Sequence, residues 1–179
     1  MLKVKNNEHP LVQRAFSWAE HWHRGQTRHS GQPYIVHPVS VADKVSQYTN
    51  DPAVIAAALC HDVLEDCPEV TFKVLLEKTN LSVAMLVAEV TDPPMKFEER
   101  LAWRLARIPN MSEAARLIKT ADIDDNSADP SSYKVKHRLH FYYKNRVDIL
   151  YAINTPYAIS VARRLEKWLE ENTIHAAHT

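Results

Sequence analysis

Apolar side chains recur at intervals of three and four residues along most of the chain, which is the spacing of amphipathic helices. This spacing predicts a first helix from about His9 to Arg24, with an apolar face formed by Leu11, Ala15, Trp18 and Trp22. No segment convincingly alternates apolar and polar positions at the period of two that a half-buried strand shows. The pattern therefore predicts an all-α fold.

Capping residues and breaks divide the rest of the chain into further predicted helices. They cover about 38–48, 52–65, 71–78, 82–90, 98–108, 112–122, 132–153 and 156–171. The predicted N-caps are Asp51, Thr71, Ser82, Ser112 and Thr155. The helix over 52–65 is apolar nearly all round, which indicates a central, buried position. We expect residues 123–130 to form a polar connection and the tail after Asn172 to fray.

The chain shows neither an internal repeat nor a linker, so residues 1–179 are predicted to form a single domain with a core over about 8–172. The chain has 22 basic and 22 acidic residues, so it lacks the excess of basic residues that is typical of a nucleic-acid binder. No apolar run approaches the ~20 residues that span a bilayer, and the polar N-terminus does not resemble a signal peptide. We therefore expect a cytoplasmic protein whose two cysteines are reduced.

The predicted third helix ends in a group of polar residues, His61, Asp62, Glu65 and Asp66. Positions four apart stack on one side of a helix, which would pair His61 with Glu65 and Asp62 with Asp66. Three buried carboxylates and an imidazole are costly without a cationic partner, and a divalent metal would supply one. An exposed polar helix end is an equally good interpretation of this segment alone.

Two further residues extend the polar group. His37 stands at the entry to the second predicted helix, and Asp122 stands at the end of a mostly apolar stretch. Together with His61 and Asp62 they supply two imidazoles and two carboxylates. Mixed nitrogen and oxygen ligands suit Mn²⁺, Fe²⁺ or Mg²⁺ better than a structural zinc site, which favours thiolates.

Three ordered blocks of sequence resemble the hydrolase domain of the RelA/SpoT homologues, in the HD superfamily of metal-dependent phosphohydrolases. Residues 25–38 read GQTRHSGQPYIVHP, residues 57–66 read AALCHDVLED, and residues 117–122 read LIKTAD, followed by Asn126. The resemblance covers about residues 8–155 and is greatest to the stand-alone form of that domain, the small alarmone hydrolases.

This resemblance implies an HD-type helical bundle that hydrolyses alarmones, the nucleotides of the stringent response. The implied reaction removes the 3′-pyrophosphate of (p)ppGpp or (p)ppApp with Mn²⁺ as cofactor and releases pyrophosphate. The implied metal ligands are His37, His61, Asp62 and Asp122. Glu65 and Asp66 would position and deprotonate the attacking water. The implied substrate-binding residues are Arg28, Lys119, Asn126 and Arg100.

The chain departs from the family pattern at His29, where relatives usually carry lysine, and at Ile123, Asp124 and Asp125, where they carry a lysine and apolar or aromatic residues. Two added carboxylates would disfavour a highly anionic ligand or change the pocket for the base and ribose, so guanine and adenine substrates both stay open. A different HD phosphatase, acting on nucleoside monophosphates or on the 2′-phosphate of NADPH, is a second hypothesis. A catalytically silent nucleotide-binding module is a third, although silent relatives lack the Glu-Asp pair that this chain keeps.

Overall fold

The computed structural model of the chain describes residue 4 and residues 6–128 and 136–176, and this part contains no strand. Thr27 and Pro33 form a single isolated bridge. The helices are α1 (Pro10–Trp22), α2 (Val36–Ser46), α3 (Pro52–Leu59), α4 (Val63–Asp66), α5 (Phe72–Lys78), α6 (Leu81–Val90), α7 (Phe97–Arg107), α8 (Glu113–Ala128), α9 (Lys136–Ile153) and α10 (Pro156–Ala176). The all-α prediction is confirmed.

Most predicted N-caps are in place, because a side-chain oxygen accepts from a backbone N–H one turn into the helix. Asp51, Thr71, Ser112 and Thr155 each do so. Ser82 is the exception. Asn80 has extended backbone, and its Oδ1 accepts from the Val83 amide at 2.9 Å, so α6 begins at Leu81.

The predicted helix over 52–65 is interrupted, which corrects the expectation of one continuous helix. α3 ends at Leu59, and the Cys60 amide donates to Ala57, three residues back. The His61 ring takes over the freed carbonyl of Ala58, with Nδ1 at 2.8 Å from the oxygen. His61 and Asp62 therefore lie on a turn between α3 and α4 rather than on a helix face.

The predicted connection over 123–130 is wrong as far as residue 128, because α8 continues to Ala128. The side chains of Asp124 and Asp125 face other helices instead of water. Both accept hydrogen bonds from residues of α2. Residues 129–135, including the predicted start of the next helix, lie outside the described residues. At the C-terminus α10 continues to Ala176, beyond the point where fraying was expected.

Two hydrophobic clusters form the interior. The first joins α1, α2, α3 and α6 with the start of α8, and α3 is buried within it as predicted. The second packs α9 against α10. α8 contributes to both clusters, through Ile118 to the first and Ile123 to the second. No helix in the described ranges combines the length and the apolarity that a membrane crossing requires.

Candidate metal centre

A short loop between α1 and α2 brings the first polar side chains toward the interior. Gly25 and Gly31 have φ of 83° and 84°, in the left-handed region that favours glycine. Between them the chain turns back on itself, and the Arg28 amide donates to the Gln32 carbonyl at 2.8 Å. The loop leads directly into α2, so that His37 lies in the first turn of that helix.

The four predicted metal ligands meet at one point. One donor atom each of His37, His61 and Asp122 lies within 4.8 Å of the others. Asp62 Oδ2 lies 3.1 Å from His61 Nε2 and 3.5 Å from His37 Nε2. Three separate segments supply these groups: the start of α2, the turn after α3, and α8. Both imidazoles are buried, with 2% and 3% of their surface exposed.

Each imidazole has a contact at its Nδ1 atom that orients the ring toward the cluster. His61 Nδ1 donates to the Ala58 carbonyl, and His37 Nδ1 lies 2.7 Å from Asp125 Oδ2. Each ring therefore presents Nε2 to the other ligands. His61 Nε2 is buried and, among the described atoms, has no partner of hydrogen-bonding geometry despite the nearby Asp62. Leaving such an atom unpaired is costly, and a cation would satisfy it, so these residues fit a divalent metal.

The ligands also compensate one another electrically. Burial opposes a charged imidazole, but Asp62 and Asp122 outweigh it and raise the pKa of His61 to about 9. The pKa of His37 is likewise well above its usual value, against the effect of burial, because Asp122 and Asp125 stabilise the imidazolium. Burial would raise the pKa of Asp62 and Asp122, yet their cationic neighbours hold both well below the ordinary range.

Glu65 and Asp66 lie one turn beyond His61 and Asp62. Their surroundings differ from those of the predicted ligands. Burial raises the pKa of both carboxyl groups. Glu65 Oε1 accepts from the Asp92 amide at 2.8 Å. Asp66 Oδ2 lies 3.0 Å from the Tyr34 hydroxyl, which is also 2.7 Å from Asp62 Oδ2. A carboxylate with a raised pKa is suited to accepting a proton.

A cavity of about 360 Å³ opens beside His37. Its walls are formed by Thr27, Arg28, His29, Tyr34, His37, Asn126, Tyr142 and Arg146. The Arg28 guanidinium contacts Asp125 at 3.0 Å and Asn126 at 3.3 Å, and Asn126 in turn donates to Asp122 at 2.6 Å. Two of the predicted substrate-binding residues are thus joined to a ligand by hydrogen bonds.

The other two predicted substrate-binding residues differ in placement. Lys119 Nζ lies 3.3 Å from Asp122 Oδ2, and its charge also acts to lower the pKa of Glu65. Arg100 lies on α7, and no hydrogen bond or ion pair within the described part of the chain joins its side chain to the ligand cluster. The structure therefore brings Lys119 to the site and does not connect Arg100 with it.

Sequence reasoning missed two cavity residues on α9. Tyr142 and Arg146 are four positions apart and share one helix face, with the guanidinium 5.9 Å from the tyrosine ring centre. Their spacing was visible in the sequence, but no motif connected α9 with the site.

The two added carboxylates do not contribute unpaired charge to this cavity, and neither lines it. Asp124 accepts from Lys44 at 2.9 Å and Tyr157 at 2.8 Å, and it also contacts Arg164. Asp125 contacts Arg28 and His37. Burial opposes the ionised form of Asp125, but its hydrogen-bonding partners lower its pKa to about 2. The expected repulsion of an anionic ligand is therefore offset within the protein.

Comparisons with known proteins show what the chain is similar to. Residues 15–102 match a family model described as an HD domain. A probable guanosine-3′,5′-bis(diphosphate) 3′-pyrophosphohydrolase of Mycoplasma genitalium is 35% identical over 117 residues, which is 65% of this chain and 14% of the relative. The bifunctional (p)ppGpp synthase/hydrolase SpoT of Escherichia coli is 40% identical over 122 residues, which is 64% of this chain and 17% of the relative. The chain thus spans less than a fifth of the length of these curated relatives.

A solved structure is similar over nearly its whole length. It is described as a metazoan ortholog of SpoT that hydrolyzes ppGpp and plays a role in starvation responses. The TM-score is 0.82 at 25% identity, and the match covers 89% of this chain and 95% of that chain. The two structures are therefore alike over most of both chains.

Proposed function

We propose that the chain hydrolyses the 3′-pyrophosphate of guanosine or adenosine alarmones, because it matches an HD-domain family model over residues 15–102 and is similar to SpoT-type hydrolases. The products would be pyrophosphate and a nucleotide with a free 3′-hydroxyl. The observation that carries the proposal is the convergence of His37, His61, Asp62 and Asp122 beside a cavity that reaches Arg28.

The four ligands would hold a divalent cation, and we assign Mn²⁺, with Fe²⁺ or Mg²⁺ as alternatives of the same ligand preference. When bound, such a cation would polarise a phosphoryl oxygen and lower the pKa of water. His37 and His61 supply neutral nitrogen ligands, while Asp62 and Asp122 balance the positive charge. This division follows from the ring orientations described above.

Glu65 and Asp66 would carry the proton transfers. In the proposed reaction a water oxygen bonds to the phosphorus next to the ribose, and the bond from that phosphorus to the 3′ oxygen breaks. Glu65 or Asp66 accepts one proton of the water, and the departing 3′ oxygen takes up a proton returned from this carboxyl pair. Their raised pKa values favour this exchange, since a stronger base near the operating pH transfers protons more effectively.

Substrate binding would fall to the cavity. The Arg28 guanidinium is already held at its wall by Asp125 and Asn126, and a pre-oriented guanidinium binds phosphate oxygens without further ordering. Lys119 beside Asp122 would add positive charge near the scissile group. We place the reaction in the cytoplasm, which is consistent with two cysteines that are both free thiols.

The test is to incubate the purified chain with Mn²⁺ and either ppGpp or ppApp and to identify the product. Release of pyrophosphate supports the proposal, and its absence with both nucleotides contradicts it. NADPH and nucleoside monophosphates serve as further substrates, and orthophosphate from either would favour a different HD phosphatase. The Asp122→Asn variant is the matched control, because it keeps the side-chain shape while removing one charged ligand.

A further inference from the structure

We propose that Asp125 is a positioning residue of the metal centre: its carboxylate holds the His37 ring in the ligand orientation and anchors Arg28 beside it. The inference rests on the proposed metal site but not on the identity of the substrate.

One turn of α8 holds both nitrogens of His37. Asp122 Oδ1 lies 3.4 Å from Nε2, and Asp125 Oδ2 lies 2.7 Å from Nδ1. The two carboxylates are three residues apart and therefore lie on the same side of the helix. The imidazole between them cannot rotate about its own axis without losing one of these contacts. α8 thus supplies both a ligand and the group that orients another ligand.

The Asp125 carboxylate is itself held in place. Ser40 Oγ donates to Oδ1, and Arg28 Nη1 donates to Oδ2 at 3.0 Å, the same oxygen that faces His37. Its side chain is only 12% exposed. A buried carboxylate with three donors has little freedom to turn, so it can fix the direction of the His37 Nδ1–H bond.

Carboxylates that accept from a ligating histidine select the tautomer with a lone pair on the other nitrogen and increase the basicity of that nitrogen. Asp125 is placed to do this for His37, as the Ala58 carbonyl does for His61. The acceptor at Nδ1 therefore differs between the two imidazoles. It is a charged carboxylate for His37 and a neutral carbonyl for His61. Loss of Asp125 should consequently weaken metal binding without removing any ligand.

Arg28 connects this contact with the cavity. Its guanidinium contacts Asp125 with one nitrogen and Asn126 with another, and Asn126 donates to Asp122. The arginine proposed to bind phosphate is therefore joined to the ligands His37 and Asp122 through two separate paths. Asp125 would set the position of both the metal and the substrate's anionic group.

The experiment is to titrate the metal-free chain with Mn²⁺ alone. Calorimetry or electron paramagnetic resonance measures the binding. We expect Asp125→Ala to weaken Mn²⁺ binding by roughly 10- to 100-fold, the range for partners of metal ligands. Asp125→Asn keeps an acceptor oxygen for His37 without the charge, so its loss should be smaller. Asp125→Asn also serves as the folded substitute if Asp125→Ala does not fold.

Asp124→Asn is the matched control. Asp124 is the adjacent residue, is also buried, and also has three side-chain partners, Lys44, Tyr157 and Arg164, none of which is a proposed ligand. It should lower the thermal unfolding temperature and leave the Mn²⁺ affinity within about twofold. Unchanged affinity in Asp125→Ala, or an equal loss in Asp124→Asn, would overturn the inference. Because no nucleotide is present, failure of the alarmone assay would leave this outcome unaffected.

Discussion

Two pairs of carboxyl groups in and beside the cluster have opposite properties. Asp62 and Asp122 face two imidazoles, and their pKa values lie well below the ordinary range. Glu65 and Asp66 are also partly buried, but burial dominates there and their pKa values are raised. The same chemical group is thus held as an anion in one place and made a better base in the other.

The difference comes from the surroundings rather than from the residue type, and it suits the two pairs to the different roles proposed for them. A ligand must stay ionised to bind a cation, whereas a general base must take up a proton during the reaction. Substitutions in the two pairs should therefore impair the protein in different ways.

Loss of a ligand should have the largest effect. Asp62→Ala and Asp122→Ala each remove one carboxylate that offsets the positive charge of the cation and the imidazoles, so we expect both to abolish Mn²⁺ binding and turnover. Calorimetric titration with Mn²⁺ and a pyrophosphate-release assay would measure the two effects. Wild-type affinity in either variant would contradict its assignment as a ligand.

Loss of the base should separate binding from catalysis. Glu65→Ala leaves all four ligands in place, so Mn²⁺ affinity should be retained while kcat falls by roughly 10²-fold or more, as expected when a general base is removed. The matched comparison is Asp66→Asn, which tests the second member of the pair. A Glu65→Ala variant with full kcat would show that the proton goes elsewhere.

Metal binding should release protons. The pKa of His61 is raised to about 9, so its ring is an imidazolium in the metal-free protein at pH 7, and the raised pKa of His37 favours the imidazolium form of that ring too. A cation must displace these protons, and Mn²⁺ affinity should therefore rise with pH by about tenfold per unit for each proton displaced. Titrations between pH 6.5 and 8.5 in buffers of different ionisation enthalpy would count them. An affinity independent of pH would be inconsistent with the coupled cluster.

The smallest effect should come from a substitution that weakens the hydrogen bond to the proposed base, Glu65. Arg104 pairs with the Asp92 carboxylate, and the Asp92 amide donates to Glu65. Arg104→Gln should loosen that donor and cost about 1 kcal/mol, or roughly fivefold in kcat. KM and Mn²⁺ affinity should stay unchanged, because no ligand or cavity residue is altered. A fall in Mn²⁺ affinity instead would show that the ion pair supports the ligands.

Local sequence was sufficient for much of this site. The helical periodicity and the H, HD and D blocks predicted the fold class and the four residues that converge. They could not predict the turn at Cys60, since it depends on the His61 ring replacing a backbone hydrogen bond. An apolar run has the same pattern whether a helix continues or ends in such a turn.

Long-range pairing explains the remaining differences. Asp124 and Asp125 were expected in a polar connection and as carboxylates that disfavour an anionic ligand, because their partners Lys44 and Arg28 lie 80 and 97 positions away. Tyr142 and Arg146 reach the cavity only through the packing of α9. These contacts depend on tertiary structure, and neither periodicity nor a motif encodes them.

The contacts of the Tyr34 hydroxyl affect how many protons the site holds. It lies within hydrogen-bonding distance of both Asp62 and Asp66, yet it carries a single hydrogen. Both contacts can be full two-centre hydrogen bonds at once only if one of the carboxyl groups is protonated, and Asp66 has the raised pKa. Three oxygen atoms thus share either one hydrogen or two. The difference between these two states is one exchangeable proton, held a single residue away from Glu65.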